Sequence, residues 1–247
     1  LSIASGRSDS STSGNLDIAT GIGSTSGSIN LSSGKSLQSS GSVSFKSGNT
    51  IEGSSGSLEL EVGASQDGLA GDISVSTGAA NGVGGRIRIL TGGSRGSEEN
   101  AIPGSLDVQT GDSSHSGNIT FATGNSDSRE SGAIQVKSGD AAAGSSGSIV
   151  FAGGVSQTAE GGSILMKSGN SETATGGKLS LTSGKGSVSG SIDILTATTT
   201  RESGNVVLQT GVAEVSSGSM KLSTGNAQDG KAGDMLLRAG NGAQAGN

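Results

Sequence analysis

Apolar side chains recur along this 247-residue chain in pairs that are separated by one residue and bounded by glycine. The repeated pattern is GxΦxΦx[ST]G, in which Φ is an aliphatic residue, Met or Phe. Successive openings are 13 to 15 residues apart except for one interval of 19, and a seventeenth copy is split between the two ends. Such a period indicates a tandem-repeat architecture. The full copies open at Gly14, Gly27, Gly41, Gly56, Gly71, Gly85, Gly104, Gly117, Gly132, Gly147, Gly162, Gly177, Gly190, Gly204, Gly218 and Gly233.

The apolar pairs predict β-strands. With the opening glycine as position 0, positions 2 and 4 are apolar in every full copy. Most of the intervening residues are polar, and strict alternation over about five residues is typical of a strand with one buried face. Recurrent glycine disfavours a helix by about 1 kcal/mol at each occurrence. We therefore predict an all-β fold.

Stacking of these strands predicts a parallel β-solenoid, or β-helix, built from strand–turn repeats of about fifteen residues. Two copies in each coil would place two aliphatic strips on opposite sides of a thin core, and this is the preferred arrangement. One or three copies in each coil stay open, because two per coil would bring Lys137 beside Lys167. One copy per coil would instead pair Lys46 with Glu61.

The end of each copy predicts a turn. Position 6 has the same parity as the apolar pair, and it holds Ser or Thr in most copies, so its hydroxyl is expected to face inward and bond to turn backbone groups. Position 7 is glycine in every full copy except at Ala197, and Asn or Asp often follows. These residues favour a left-handed backbone conformation at the turn.

The composition alone would favour disorder, with 47 Gly, one Pro and no Cys, Trp or Tyr. The fixed spacing of the apolar residues argues against that interpretation, because a disordered linker has no need of it. The net charge of −6 and the absence of a basic cluster argue against a nucleic-acid partner. No apolar run approaches the roughly 18 residues of a membrane span.

The sequence predicts no enzymatic activity, no cofactor and no metal site. His115, the only histidine, lies in a short polar loop without the placed partners of a catalytic triad. Acidic residues fall at different positions in different copies, unlike the recurrent Asp of a calcium-binding repeat. The glycine-rich stretch 82–85 lacks the Lys-Ser/Thr tail of a phosphate-binding loop.

The two ends of the chain fit one repeat. Leu1 suits position 2 of a copy, and Asn247 suits position 1 of a copy that opens at Gly246. We therefore expect residues 1–247 to be one continuous repeat domain and an excerpt of a longer array.

The runs SGSINLSSG (26–34), SGSVSFKSG (40–48) and SGNVVLQTG (203–211) resemble the Ser/Gly-rich tandem repeats of very large diatom and algal proteins. Bacterial adhesin stalks and phage fibres are similar in style. The resemblance implies a β-solenoid with a structural role outside the cell or at the cell surface, and it carries no active site.

These observations lead to two functional hypotheses. The first is a structural, non-catalytic segment of an extracellular or cell-surface fibre or adhesin-like protein, whose copies associate end to end or within a filament. The second is a surface-binding module for ice, mineral or glycan. Asn30 and Asn118 each begin an Asn-x-Ser/Thr sequence and are candidate N-glycosylation sites if the chain is secreted.

Overall fold

The computed structural model describes residues 1–9, 12–94 and 102–241. Within these ranges the backbone forms neither helix nor strand, and irregular segments alternate with short bends. A bend begins nine or ten residues after the opening glycine in each copy whose turn is described, which is two or three residues beyond the position-7 glycine at which the turn was predicted. The bends of these copies span 23–25, 37–38, 51–53, 66–68, 81–83, 113–115, 127–129, 142–144, 157–159, 172–174, 186–188, 200–201, 214–215 and 228–230.

The prediction of an all-β parallel solenoid is wrong for the described part of the chain. A parallel ladder joins each segment to its equivalent one coil away through evenly spaced backbone hydrogen bonds. The backbone hydrogen bonds present between described residues instead join glycines at the two ends of one turn. Without a ladder there are no stacked coils, and the preference for two copies per coil falls with it.

The predicted aliphatic core is also absent from the described residues, where no hydrophobic side chain is buried. Leu58, Ile73 and Val136 are 70%, 53% and 65% exposed. The accessible surface of the chain is 25716 Å². A compact protein of this mass would expose about 9800 Å² and an unfolded chain about 34000 Å². The apolar pairs therefore do not bury one another within a single chain.

Exposure nevertheless follows the repeat. The four half-buried residues of the described part, Thr110, Ser138, Ser168 and Ser183, all occupy position 6. Val62, at the same position of its copy, is the least exposed large hydrophobic residue at 37%. The most sheltered side chains of the described part thus lie at position 6, but positions 2 and 4, which share its parity, are exposed, so the predicted inward face does not form.

The chain divides into two compact units, which we call the first unit, Leu1–Phe121, and the second unit, Ala122–Asn247. The division falls inside the copy that opens at Gly117, so the repeat pattern crosses it. The expectation of one continuous repeat domain stays a prediction. Gly246 and Asn247, on which the joining of the two ends rests, lie outside the described residues.

Candidate functional site

The recurring local structure is the junction between one copy and the next, formed by the glycine at position 7 and the following opening glycine. The Gly162 N–H donates to the Gly154 carbonyl at 2.9 Å, and the Gly177 N–H donates to the Gly169 carbonyl at 2.9 Å. The same bond joins Gly104 to Gly92 at 3.0 Å and Gly190 to Gly184 at 3.1 Å. Each of these turns is therefore closed by its own two ends.

The hydroxyl at position 6 strengthens some junctions. Thr77 Oγ1 donates to the carbonyl of Gly85 at 3.3 Å, and Thr20 Oγ1 donates to the carbonyl of Gly27 at 3.3 Å. Thr20 Oγ1 also lies 2.8 Å from Ser26 Oγ. The expected bonding of this hydroxyl to turn backbone groups is confirmed at these two junctions.

At two junctions the opening glycine is required by a close approach. A Cβ added to Gly85 would lie 2.7 Å from Thr77 Cβ, and one added to Gly162 would lie 2.9 Å from the Gly154 backbone nitrogen. By contrast, a Cβ at the position-7 glycines Gly78 and Gly154 would meet nothing within 4 Å. At these two junctions the opening glycine is therefore the sterically restricted member of the pair.

The predicted left-handed conformation does not occur at position 7. Among the described residues, positive φ is found only at Gly53 (89°) and Gly144 (94°), both at position 12 of their copies. No Asn or Asp of the described part adopts it. The position-7 glycine makes its carbonyl bond without reversing φ, so the sharp change in chain direction lies later in the turn.

A second turn hydroxyl, at position 9, was missed from the sequence. Ser65, Ser126, Ser156 and Ser171 each accept a hydrogen bond from the backbone N–H three residues later, at 2.9 to 3.1 Å. These four copies are 15 residues long. A Ser or Thr that bonds a nearby backbone N–H is a common turn device, and its fixed position in the repeat is the signal that could have found it.

The position-9 hydroxyl bonds differently in other copies, and Thr50, in a copy of 15 residues, donates to the Glu52 carbonyl at 2.7 Å. In two copies that are shorter by one residue, the position-9 hydroxyls of Ser36 and Thr199 accept from the N–H only two residues later. Deleting one turn residue therefore shortens the reach of the bond by one residue. The hydroxyl stays in place while the turn length varies.

The singled-out chemical groups are not assembled into a site. His115 is exposed, and its Nδ1 lies 3.4 Å from the neighbouring Ser114 Oγ. The described residues contain no group of three or more His, Asp or Glu side chains arranged to hold a metal ion. Asn30 and Asn118 are both exposed.

Two ion pairs occur among the described residues, and both are local and exposed. Arg7 Nε lies 2.7 Å from Asp9 Oδ1, and Lys137 Nζ lies 3.1 Å from Asp140 Oδ2. Lys46 and Glu61, the pair considered for one copy per coil, do not form one. Pairs of this kind contribute little to stability.

An apolar cleft of about 380 Å³ lies between two consecutive copies of the first unit. Phe45 lines one side, and Leu58, Glu59 and Leu60 of the next copy line the other. The apolar pairs of neighbouring copies thus face a shared gap without filling it. A second, open cleft of about 470 Å³ is lined by Arg129 and Glu130 in the second unit.

Among the described residues, no helix has the length and apolar composition needed to cross a membrane. Comparison with known protein families, curated proteins and solved structures found no match.

Proposed function

We propose that this chain is a structural, non-catalytic repeat segment of an extracellular or cell-surface fibre or adhesin-like protein. We propose that it works by association with other molecules of the same chain. The observation that carries the proposal is the exposed apolar pair in each copy. Sixteen such pairs are presented at nearly constant spacing along a chain whose turns close locally.

The surface area gives the physical reason for association. The chain exposes 25716 Å², well above the value of about 9800 Å² for a compact protein of its mass. A specific interface buries only about 1600 Å² in total, so the excess is many times what one contact needs. The apolar part of this surface, which includes the sixteen exposed pairs, is stabilised when another surface removes it from water. A tandem array meets that need by repetition, because every copy offers the same pair.

The turns favour a role in spacing over a role in chemistry. Serine and threonine hydroxyls at positions 6 and 9 bond to turn backbone groups in several copies, as at Thr77 and Ser156. The recurrent polar groups therefore hold the length of each repeat. A regular spacer between associating pairs is the requirement of a fibre-forming segment.

Sedimentation velocity and electron microscopy of the purified chain over a range of concentrations test the proposal. We expect particles that grow with concentration and become elongated. Compact monomers at every concentration would contradict it.

The N-glycosylation that a location outside the cell would allow has a separate test. Secretion of the chain from a glycosylating eukaryotic cell should add glycan at Asn30 and Asn118, which are exposed. The Asn30→Gln and Asn118→Gln variants serve as mass controls. Two bare asparagines on secreted material would remove this support.

The alternative function, a surface-binding module for ice, mineral or glycan, needs a regular outward array of hydroxyls or charges. The most regular hydroxyls are those at position 6, and these include the most sheltered side chains of the described part. The alternative function thus depends on polar side chains at other positions, which do not recur regularly from copy to copy. Thermal hysteresis and pull-down on mineral or polysaccharide, measured on the monomer, distinguish it from self-association.

A further inference from the structure

The second unit contains runs of three consecutive large apolar residues that the first unit lacks. In four of its copies position 3, which is polar in the full copies of the first unit, is also apolar. We call these runs the apolar triplets. They are Ile149-Val150-Phe151, Ile164-Leu165-Met166, Val206-Val207-Leu208 and Met235-Leu236-Leu237.

The central residues of the apolar triplets are the most open to solvent in three of the four runs. Val150, Leu165, Val207 and Leu236 are 78%, 87%, 71% and 76% exposed. In all four triplets the residue before the centre is about half exposed. Since successive side chains point in different directions, a triplet offers apolar surface on more than one side of the backbone. Exposed runs of this kind are unfavourable in a solitary protein unless they serve a contact.

The two units also differ in net charge, and this difference too favours association of the second unit. The first unit carries 6 Lys and Arg against 11 Asp and Glu, a net charge of −5, whereas the second carries 9 against 10, a net charge of −1. Two like surfaces repel when their net charge is far from zero, and association is favoured near neutrality. The unit that contains the apolar triplets is also the unit with the smaller repulsion.

We propose that the apolar triplets of the second unit form the surface through which the chain associates with the second unit of another copy. This inference rests on the proposed function and names its contact surface. Each triplet supplies apolar area on the side that the pair alone leaves polar.

The last triplet shows why a second copy suits this surface. Asp234 precedes it and Arg238 follows it, so opposite charges stand at its two ends. In a two-fold symmetric contact, Asp234 of each copy faces Arg238 of the other, and the triplets meet between them. An anionic lipid surface would instead attract a basic patch, and the second unit has an almost even mixture of signs.

The test is sedimentation equilibrium of the full chain with and without the triplet centres. The test variant is Val150→Ser/Leu165→Ser/Val207→Ser/Leu236→Ser. The matched control, Ile22→Ser/Leu37→Ser/Ile51→Ser/Leu69→Ser, removes four large apolar side chains from turns of the first unit that are almost fully exposed. Junction amide exchange at Gly162 and Gly177 checks that the repeats of the second unit are intact.

We expect the test variant to associate at least about tenfold more weakly than the wild type, since several apolar side chains leave the contact, and the control to stay within about twofold. Equal association of wild type and test variant would overturn the inference and leave the proposed function standing. A larger loss in the control than in the test variant would overturn it as well. A wild-type chain that never associates would overturn both.

A charge exchange at the last triplet adds specificity. Arg238→Asp should weaken association, and the added change Asp234→Arg should restore it, because the doubly exchanged copies again present opposite charges to each other. Restoration supports the two-fold contact. Failure of the exchange to restore association, or binding of the monomer to zwitterionic phosphatidylcholine vesicles in place of a second copy, would contradict it.

Discussion

The two units share one repeat and differ in what they place on it. Both keep the glycine junction and the apolar residues at positions 2 and 4, as seen at Gly85 in the first unit and Gly162 in the second. They differ at position 3, where the first unit has residues such as Glu59 and the second has Val150 and Leu165. The junction constrains the glycines sterically, whereas position 3 lies outside it and is free to set the character of the surface.

The comparison separates the local geometry of a copy from its capacity to associate. A turn that is closed by a hydrogen bond between its own two glycines needs no second chain. No described hydrophobic side chain is buried within the chain, and the proposed association assigns burial of the apolar pair to a second chain. Repeat geometry and assembly can therefore be altered by different substitutions.

The largest effect is expected from adding charge to the second unit. Changing Lys137, Lys167, Lys178 and Lys221 to Glu moves its net charge from −1 to −9. Repulsion between copies should then abolish association at low salt, and about 1 M salt should recover part of it, because the Debye length falls to about 3 Å. Concentration-dependent sedimentation at two salt concentrations measures this.

The same four lysines changed to Gln provide the control. They bring the second unit to −5, the net charge of the first unit, while the triplets remain. We expect an intermediate loss of association. A Glu variant that associates as well as the wild type would show that charge does not distinguish the units.

A smaller effect is expected from giving the first unit the apolar character of the second. Glu59→Val and Asp107→Leu create apolar triplets at residues 58–60 and 106–108. Association should tighten several-fold in sedimentation equilibrium. Glu59→Gln with Asp107→Asn makes the same change in charge without apolar surface, and a gain as large in that control would assign the difference between the units to charge alone.

The junction itself predicts a local effect of moderate size. Gly162→Ala places a Cβ against the Gly154 nitrogen and should break the Gly162 to Gly154 hydrogen bond. Loss of a bond worth about 1 kcal/mol should raise the exchange rate of that amide about fivefold. In Gly154→Ala, where the new Cβ meets nothing within 4 Å, the Gly162 amide should exchange as in the wild type. Equal acceleration in both variants would mean that the close approach is not what requires glycine.

The smallest effect is expected at the position-9 hydroxyl. Ser156→Ala removes the acceptor for the Ala159 N–H and should speed exchange of that amide a few-fold, with no change in association. The control is Ser163→Ala, at position 1 of the next copy. An unchanged Ala159 amide in the Ser156 variant would show that the hydroxyl does not hold the turn.

The features that could be predicted from the sequence are those that depend on residues close together in the chain. Recurrent glycine and hydroxyl residues predict a turn at the end of each copy, and each described turn contains a bend. The position-6 hydroxyl was expected to bond to turn backbone groups, as those of Thr20 and Thr77 do. The alternation of apolar and polar residues at Leu58 and Leu60 indicates only that these two side chains would lie on the same side of an extended backbone. It does not supply the pairing between distant segments that makes a strand, and the loss of chain entropy in a glycine-rich backbone opposes that pairing.

The candidate surface was only partly predictable for a related reason. The apolar residues at position 3, such as Val150, can be read from the sequence, but the solenoid hypothesis considered only positions 2, 4 and 6 as the buried face. Their significance depends on the absence of a core among the described residues, which the exposure of Ile149 and Ile164 reveals. The position-9 hydroxyls were missed because their role depends on the course of the turn backbone.

The most direct test of the account is methyl NMR with a soluble paramagnetic agent, performed on the full chain at low and high protein concentration. Ile149 is 44% exposed and the turn residue Ile51 is 103% exposed, so both methyls should be relaxed in the dilute monomer, Ile51 more strongly. On concentration, Ile149 should become protected while Ile51 stays accessible. Complete protection of Ile149 already in the dilute monomer, or no change on concentration, would contradict the claim that apolar pairs are covered by another copy.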